Sequence, residues 1–192
     1  MTAKEKIRCA LLDILGEKDI RDITVTELIQ RAGVSRSAYY YYFYRPESIL
    51  DGMTRDFMKQ YTAIIRIPGR AAREADSALR LARHFYENRT LVTRLFFSSL
   101  HDRFVSELIQ TYASALEGCD IYTQPGSVGP PEKVEDRNLI SLYAFSTGYA
   151  FIGRMEWWAR CSFSVSPEEI LDYGRQIQRM THTSFVSRLP AP

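Results

Sequence analysis

The segment VSRSAYYYYFYRPE sets Ser35, Arg36 and Ser37 before an unbroken aromatic run, Tyr39 through Tyr44, and closes it with Arg45. Phe43 apart, the serines, arginines and tyrosines of this segment all carry side-chain hydrogen-bond donors. A guanidinium fork can make two parallel bonds to a planar pair of acceptors, and a phenol hydroxyl donates with little loss of conformational entropy. The chemistry they share is the gripping of an acceptor-rich or anionic surface. Bond-making chemistry has no comparable residue set. The sequence holds no GxSxG, HExxH, GxGxxG or GxxxxGK[ST]. His84, His101 and His182 have no metal-ligand spacing to one another, and Cys9, Cys119 and Cys161 form no CxxC. The Glu168-Glu169 pair reads as negative charge at a helix start rather than as a catalytic dyad. The expectation is therefore a non-enzyme that carries neither metal nor cofactor.

Charge points to the same segment. The chain of 192 residues has a formal net charge of only +2. Between Arg31 and Pro46, however, lie Arg31, Arg36 and Arg45 and no acid, whereas residues 1–30 set five cations against six acids. Basic character is local, as at a nucleic-acid contact. The hydrophobic content of 45% is ample for a buried core. Asp13 interrupts the opening segment, no apolar run is long enough to span a bilayer, and the cysteines suggest no disulfide framework, so a cytoplasmic location is expected.

The donors need elements to hold them. Ile7, Leu11, Ile14 and Leu15 predict an amphipathic helix over about 4–17. Thr24, with Glu27 three residues on, predicts a capping box at the start of VTELIQRA, and Gly33 ends that helix. Ser35 caps RSAYYYYF. Two short helices joined through AGVS make a helix-turn-helix, whose second helix enters a DNA major groove. Pro46 suits the first position of a fourth helix, with an apolar stripe from Ile49 to Ile64 that IPG at 67–69 ends. Further helices are predicted over about 71–87, 90–98, 101–116 and 134–160, and a last one follows Ser166 and Pro167. The segment DIYTQPGSVGPPEKVEDR is a long loop. No strand pattern or repeat emerges. The fold class is all-α with about nine helices, an N-terminal three-helix head over 1–46 and a helical body over 47–192.

Thr24, Leu28, Ala32, Gly33, Val34, Ser35, Tyr40, Tyr42, Phe43, Glu47, Ile49 and Leu50 together resemble the DNA-binding segment of the TetR family of bacterial transcriptional regulators. Gly153, Trp158 and Ser166 to Glu169 are similar to the C-terminal region of one branch of that family. The sequence departs from the pattern at Pro46, where a phosphate-binding lysine is common; that contact is lost or passes to Arg45. Asp19 replaces a frequent glycine, and Ser37 and Ala38 stand where Gly or Pro and Thr are usual.

The resemblance implies a DNA-binding regulator, expected to be a repressor although the sequence leaves activation open, that binds a near-palindromic operator as a homodimer and is released by a small-molecule effector. The open alternatives are a DNA-organising protein with the same head and no effector, or an enzyme of unrecognised type. At 100° per residue Tyr39 and Phe43 share one side of their helix and are assigned to the core. Tyr40, Tyr42 and then Tyr41 are the implied phosphate contacts, joined by Thr24 and Ser35. Arg36 reads a base, Ser37 adds a hydrogen bond and Ala38 touches a thymine methyl. Tyr44 stays unassigned. Pocket candidates are Phe57, Tyr61, Arg94, Phe97, His101, Tyr112, Tyr143 and Trp157. The dimer surface is placed on the last two helices, where the small residues Ala144, Gly148, Ala150 and Gly153 permit close packing, together with Ile170 and Ile177.

Overall fold

The computed structural model describes residues 1–65, 72–117 and 134–184. Most of the predicted long loop, the IPG turn, Cys119 and the His182 side chain lie outside the described residues. Nine α-helices run in order among them: α1 Ala3–Ile14, α2 Val25–Ala32, α3 Arg36–Tyr42, α4 Pro46–Ile65, α5 Ala72–Glu87, α6 Arg89–Phe96, α7 His101–Glu117, α8 Arg137–Arg160 and α9 Pro167–Ser184. A single 3-10 turn, Ile20–Asp22, links α1 to α2. The described residues contain no strand, and none of their helices is long and apolar enough to cross a membrane.

Helix ends follow local chemistry. Thr2 opens α1 with a reciprocal box: its hydroxyl accepts from the Glu5 N–H at 3.2 Å while the Glu5 carboxylate accepts from the Thr2 N–H at 2.7 Å. At α2 only half of the predicted box forms. Thr24 Oγ1 accepts from the Glu27 N–H, but the Glu27 carboxylate turns away to Lys18 at 2.7 Å. The full box appears instead at α9, where Ser166 and Glu169 exchange backbone-to-side-chain bonds of 3.2 and 2.8 Å.

Ile7, Leu11 and Ile14 of α1 meet Leu28 of α2, Tyr39 of α3 and Ile49 of α4 in the core of the head, all fully buried. The body centres on aromatic rings. Phe57 stacks on His84 at 4.3 Å and meets Phe85 edge-on at 5.3 Å and Phe104 at 5.8 Å. Ser162 and Phe163, between α8 and α9, both have positive φ, 54° and 53°. Left-handed backbone costs a side chain about 1 kcal/mol or more per residue. Burial of Phe163 against Trp158 at 4.8 Å offsets it, and the Trp158 indole donates to Val165 O at 3.1 Å.

Head and body meet at the end of α1. The Arg94 Nε of α6 donates to Leu12 O at 2.9 Å. Its guanidinium lies against Gly16 so closely that a Cβ there would come within 2.5 Å of an Arg94 nitrogen.

Candidate nucleic-acid interface

Gly33 takes φ 60° and ψ 44°, the left-handed cap that lets α3 leave α2 at an angle. Its N–H donates to Gln30 O and the Val34 N–H to Ile29 O, each at 3.3 Å. Val34 packs against the head core at the corner. Ser35 caps α3 by accepting from the Ala38 N–H at 3.1 Å, and its hydroxyl also meets that of Ser37 at 3.0 Å.

These caps fix which way the aromatic run points. Tyr39 is fully buried and Phe43 partly buried against the core. Tyr40, Tyr41, Tyr42 and Tyr44 are exposed, Tyr41 at 80% and Tyr44 at 84%. The exposed rings are braced edge-on, Tyr40 on Tyr39 at 5.3 Å and Tyr41 on Tyr42 at 4.8 Å. Bracing lowers the entropy lost when a hydroxyl engages a partner. Pro46 begins α4 and is buried, so the neighbouring Arg45, exposed, carries the charge at that end.

Three of the head's acids, Glu17, Asp19 and Glu27, are drawn to particular cations. Glu17 takes both guanidinium nitrogens of Arg31, at 2.9 and 3.2 Å, and its carboxyl is held below the usual range by that partner. Asp19 accepts from Arg21, with Ser99 adding to it, and sits well below the usual carboxylate range. Such exposed pairs contribute little stability. Their effect here is electrostatic: they neutralise Lys18, Arg21 and Arg31. Arg36 and Arg45 are in no ion pair among the described residues. Arg36 Nη2 reaches Thr26 Oγ1 at 3.4 Å, a contact across the two helices that the sequence does not announce. Exposed donors and two uncompensated cations thus share one end of the head.

The eight pocket candidates, by contrast, are scattered. Phe57 and Tyr61 are core, the Tyr61 hydroxyl donating to Leu108 O at 3.3 Å. Arg94 is engaged with α1. His101 bonds Asp102 at 2.9 Å and Glu156 at 3.5 Å, and the Asp102 contact above all raises its pKa. Phe97 is exposed beneath the Arg160 guanidinium, Tyr112 packs against Gly148, and Tyr143 and Trp157 are half exposed on α8. Aromatic type alone cannot separate a pocket wall from a core ring, because both need the same apolar area.

Two of the expected dimer residues face the chain's own helices. A Cβ on Gly148 would meet Tyr112 and Ile109 of α7 at 3.2 and 3.3 Å, and Ile170 is buried, so both are consumed within the chain. Gly153 has open space around it and Ile177 is half exposed. The described residues contain no group of three or more His, Cys, Asp or Glu that could hold a metal ion.

No family model matches the sequence, and no curated protein matches it. Solved structures do. A TetR-family transcriptional regulator from Syntrophomonas wolfei is 19% identical, with 97% of this chain and 98% of that one covered at a TM-score of 0.62. The fold is that of the TetR family. NalD, the secondary repressor of the MexAB-OprM multidrug efflux pump in Pseudomonas aeruginosa, shares this fold at 17% identity over 88% and 92% of the two chains, with a TM-score of 0.59. A TetR transcriptional regulator from Streptococcus agalactiae is 23% identical over 89% and 90%, with a TM-score of 0.53. The likeness thus covers nearly the whole chain, not only the helix-turn-helix that carries the resemblance in sequence.

Proposed function

We propose that this chain is a DNA-binding transcriptional regulator, a repressor that binds a near-palindromic operator as a homodimer and releases it when a small molecule binds the body. Residues 1–46 form its DNA-binding head and 47–192 its effector and dimerisation body. The observation that carries this reading is the end of the head just described: α3 presents Arg36, Tyr40, Tyr41 and Tyr42 outward while Glu17, Asp19 and Glu27 are occupied by other cations.

In this reading Arg36 pairs with a guanine edge and Ser37 and Ala38 complete the base contacts, while the tyrosine hydroxyls, Arg45, Thr24 and Ser35 hold phosphates. A recognition helix of seven residues reads few bases, so a two-fold pair of heads is needed for a useful site. Leu142, Phe145 and Tyr149 of α8 and Tyr173 and Ile177 of α9 leave large apolar side chains exposed at 40–64%. A patch of that kind supports burial against a second copy.

The test is selection of bound duplexes from a random pool, followed by Arg36→Ala on the selected site. Loss of about 1–3 kcal/mol confined to one base position supports base reading. Equal loss on every sequence would make Arg36 a phosphate contact.

A further inference from the structure

Stacked aromatic rings fill the middle of the body, yet a groove of about 530 Å³ opens between α4 and α7. None of the eight pocket residues expected from sequence lines it. Leu50, Met58, Leu95 and Phe104, all buried, make an apolar floor. Three cations stand on the rim: Arg55 and Lys59 one turn apart on α4, and Arg103 across the groove on α7.

The rim also holds Asp51 and Glu107, each one turn from an arginine on its own helix. At that spacing Arg160 does close on Glu156, at 3.0 Å. On the rim no such closure occurs, and none of the three cations is in an ion pair among the described residues. Three open cations against two carboxylates, over an apolar floor, complement a ligand with one negative head and a hydrocarbon body.

We propose that the α4–α7 groove binds an amphipathic organic carboxylate, its head held by Lys59 and Arg103 and its body laid on Leu50, Met58 and Phe104. The regulatory meaning of this site rests on the effector reading above; the binding itself does not. The floor has a route to the head. Leu95 adjoins Arg94, whose Nε holds Leu12 O at the end of α1, and Leu50 lies near the start of α4, which follows directly on the head. A ligand that shifts Leu95 also strains the Arg94 contact, so occupancy and head position are linked.

Calorimetric titration of the full-length chain with sodium octanoate tests the site. One saturable site per chain is expected, weakened about tenfold or more by Lys59→Gln/Arg103→Gln and by replacing octanoate with 1-octanol, because a charge-assisted bond is lost in each case. Both side chains are exposed, and unchanged melting of the variant verifies its fold. Arg160→Gln, outside the groove, should bind octanoate as the parent does. Equal affinity in the parent and the double variant, equal weakening by Arg160→Gln, or no saturation would each overturn the proposal. Duplex binding by the same samples is measured separately. A chain that binds DNA but not octanoate removes the groove alone, whereas one that binds octanoate but not DNA leaves the groove standing and removes the regulator.

Discussion

Tyr39→Phe removes one oxygen from the centre of the head, and the change should stabilise the protein. The Tyr39 side chain is fully buried and its hydroxyl has no hydrogen-bond partner. An orphaned buried hydroxyl costs about 1–3 kcal/mol of desolvation. The ring contacts that Phe would keep, to Tyr40 at 5.3 Å and Phe43 at 6.4 Å, do not involve that oxygen. Allowing for the small void left behind, the gain should be about 1 kcal/mol, or roughly 2–4 °C in Tm for a chain of this size.

A second signature follows from ionisation. Burial, reinforced by Tyr40 and Glu47, pushes the Tyr39 hydroxyl up to about 12, against about 10 in the unfolded chain. A raised folded-state pKa gives stability that is complete below pH 10 and is lost as pH climbs from about 10 through 12. By pH 11 the loss from this residue should be about 1 kcal/mol, and the Phe variant should not show it. Tyr61, also raised by burial, acts in the same sense in both proteins and cancels in the comparison. Urea titrations followed by circular dichroism at pH 7 and pH 11 measure both effects. A Phe variant less stable than the parent at pH 7 would refute the reasoning, since it would mean that the hydroxyl has a partner.

Other consequences are as direct. Gly16→Ala should dislodge the Arg94 guanidinium and cost about 0.5–1.5 kcal/mol. In an Arg94→Ala background the same change should cost nothing, so a double-mutant cycle by urea unfolding should show strong coupling. His84 is buried, its Nε2 bonded to Phe57 O at 3.1 Å, and burial lowers its pKa despite that bond and the nearby Glu87. Its contribution is therefore present above about pH 6.5 and lost as pH falls; His84→Gln should lose less stability between pH 7 and pH 5. His101, with a raised pKa, runs the opposite way in both proteins and drops out of the difference. Leu142→Glu, at an exposed α8 position, should convert the expected dimer to monomer in light scattering at micromolar concentration without changing the helical signal.

Much of this fold can be read from residue types whose effect is local. Thr24, Gly33, Ser35 and Pro46 each satisfy or relieve a backbone group at a helix end, so α2, α3 and α4 begin or end where those residues say. Period alone separates Tyr39 from Tyr40, since consecutive side chains on a helix cannot share a burial state when only one face has a partner. Local rules give way where a distant residue competes. Glu27 leaves its capping role for Lys18, and Gly148 turns from a dimer spacer into a seat for Tyr112 and Ile109. The Arg94–Leu12 contact spans 82 residues and has no sequence signal beyond a glycine at 16. The α4–α7 groove leaves no signal in the sequence, because its rim is lysine and arginine at ordinary helical spacing, which reads as a solvated face until the opposing helix is known.

In the proposed function α3 reads a DNA sequence. Recovery of duplexes from a random pool by the purified full-length chain, at fixed salt so that phosphate attraction alone is held constant, tests it most directly. A near-palindromic motif should be enriched, with one position of each half-site losing its preference when Arg36→Ala replaces the parent protein. Recovered duplexes with no sequence in common, or a motif that Arg36→Ala leaves unchanged, would contradict it.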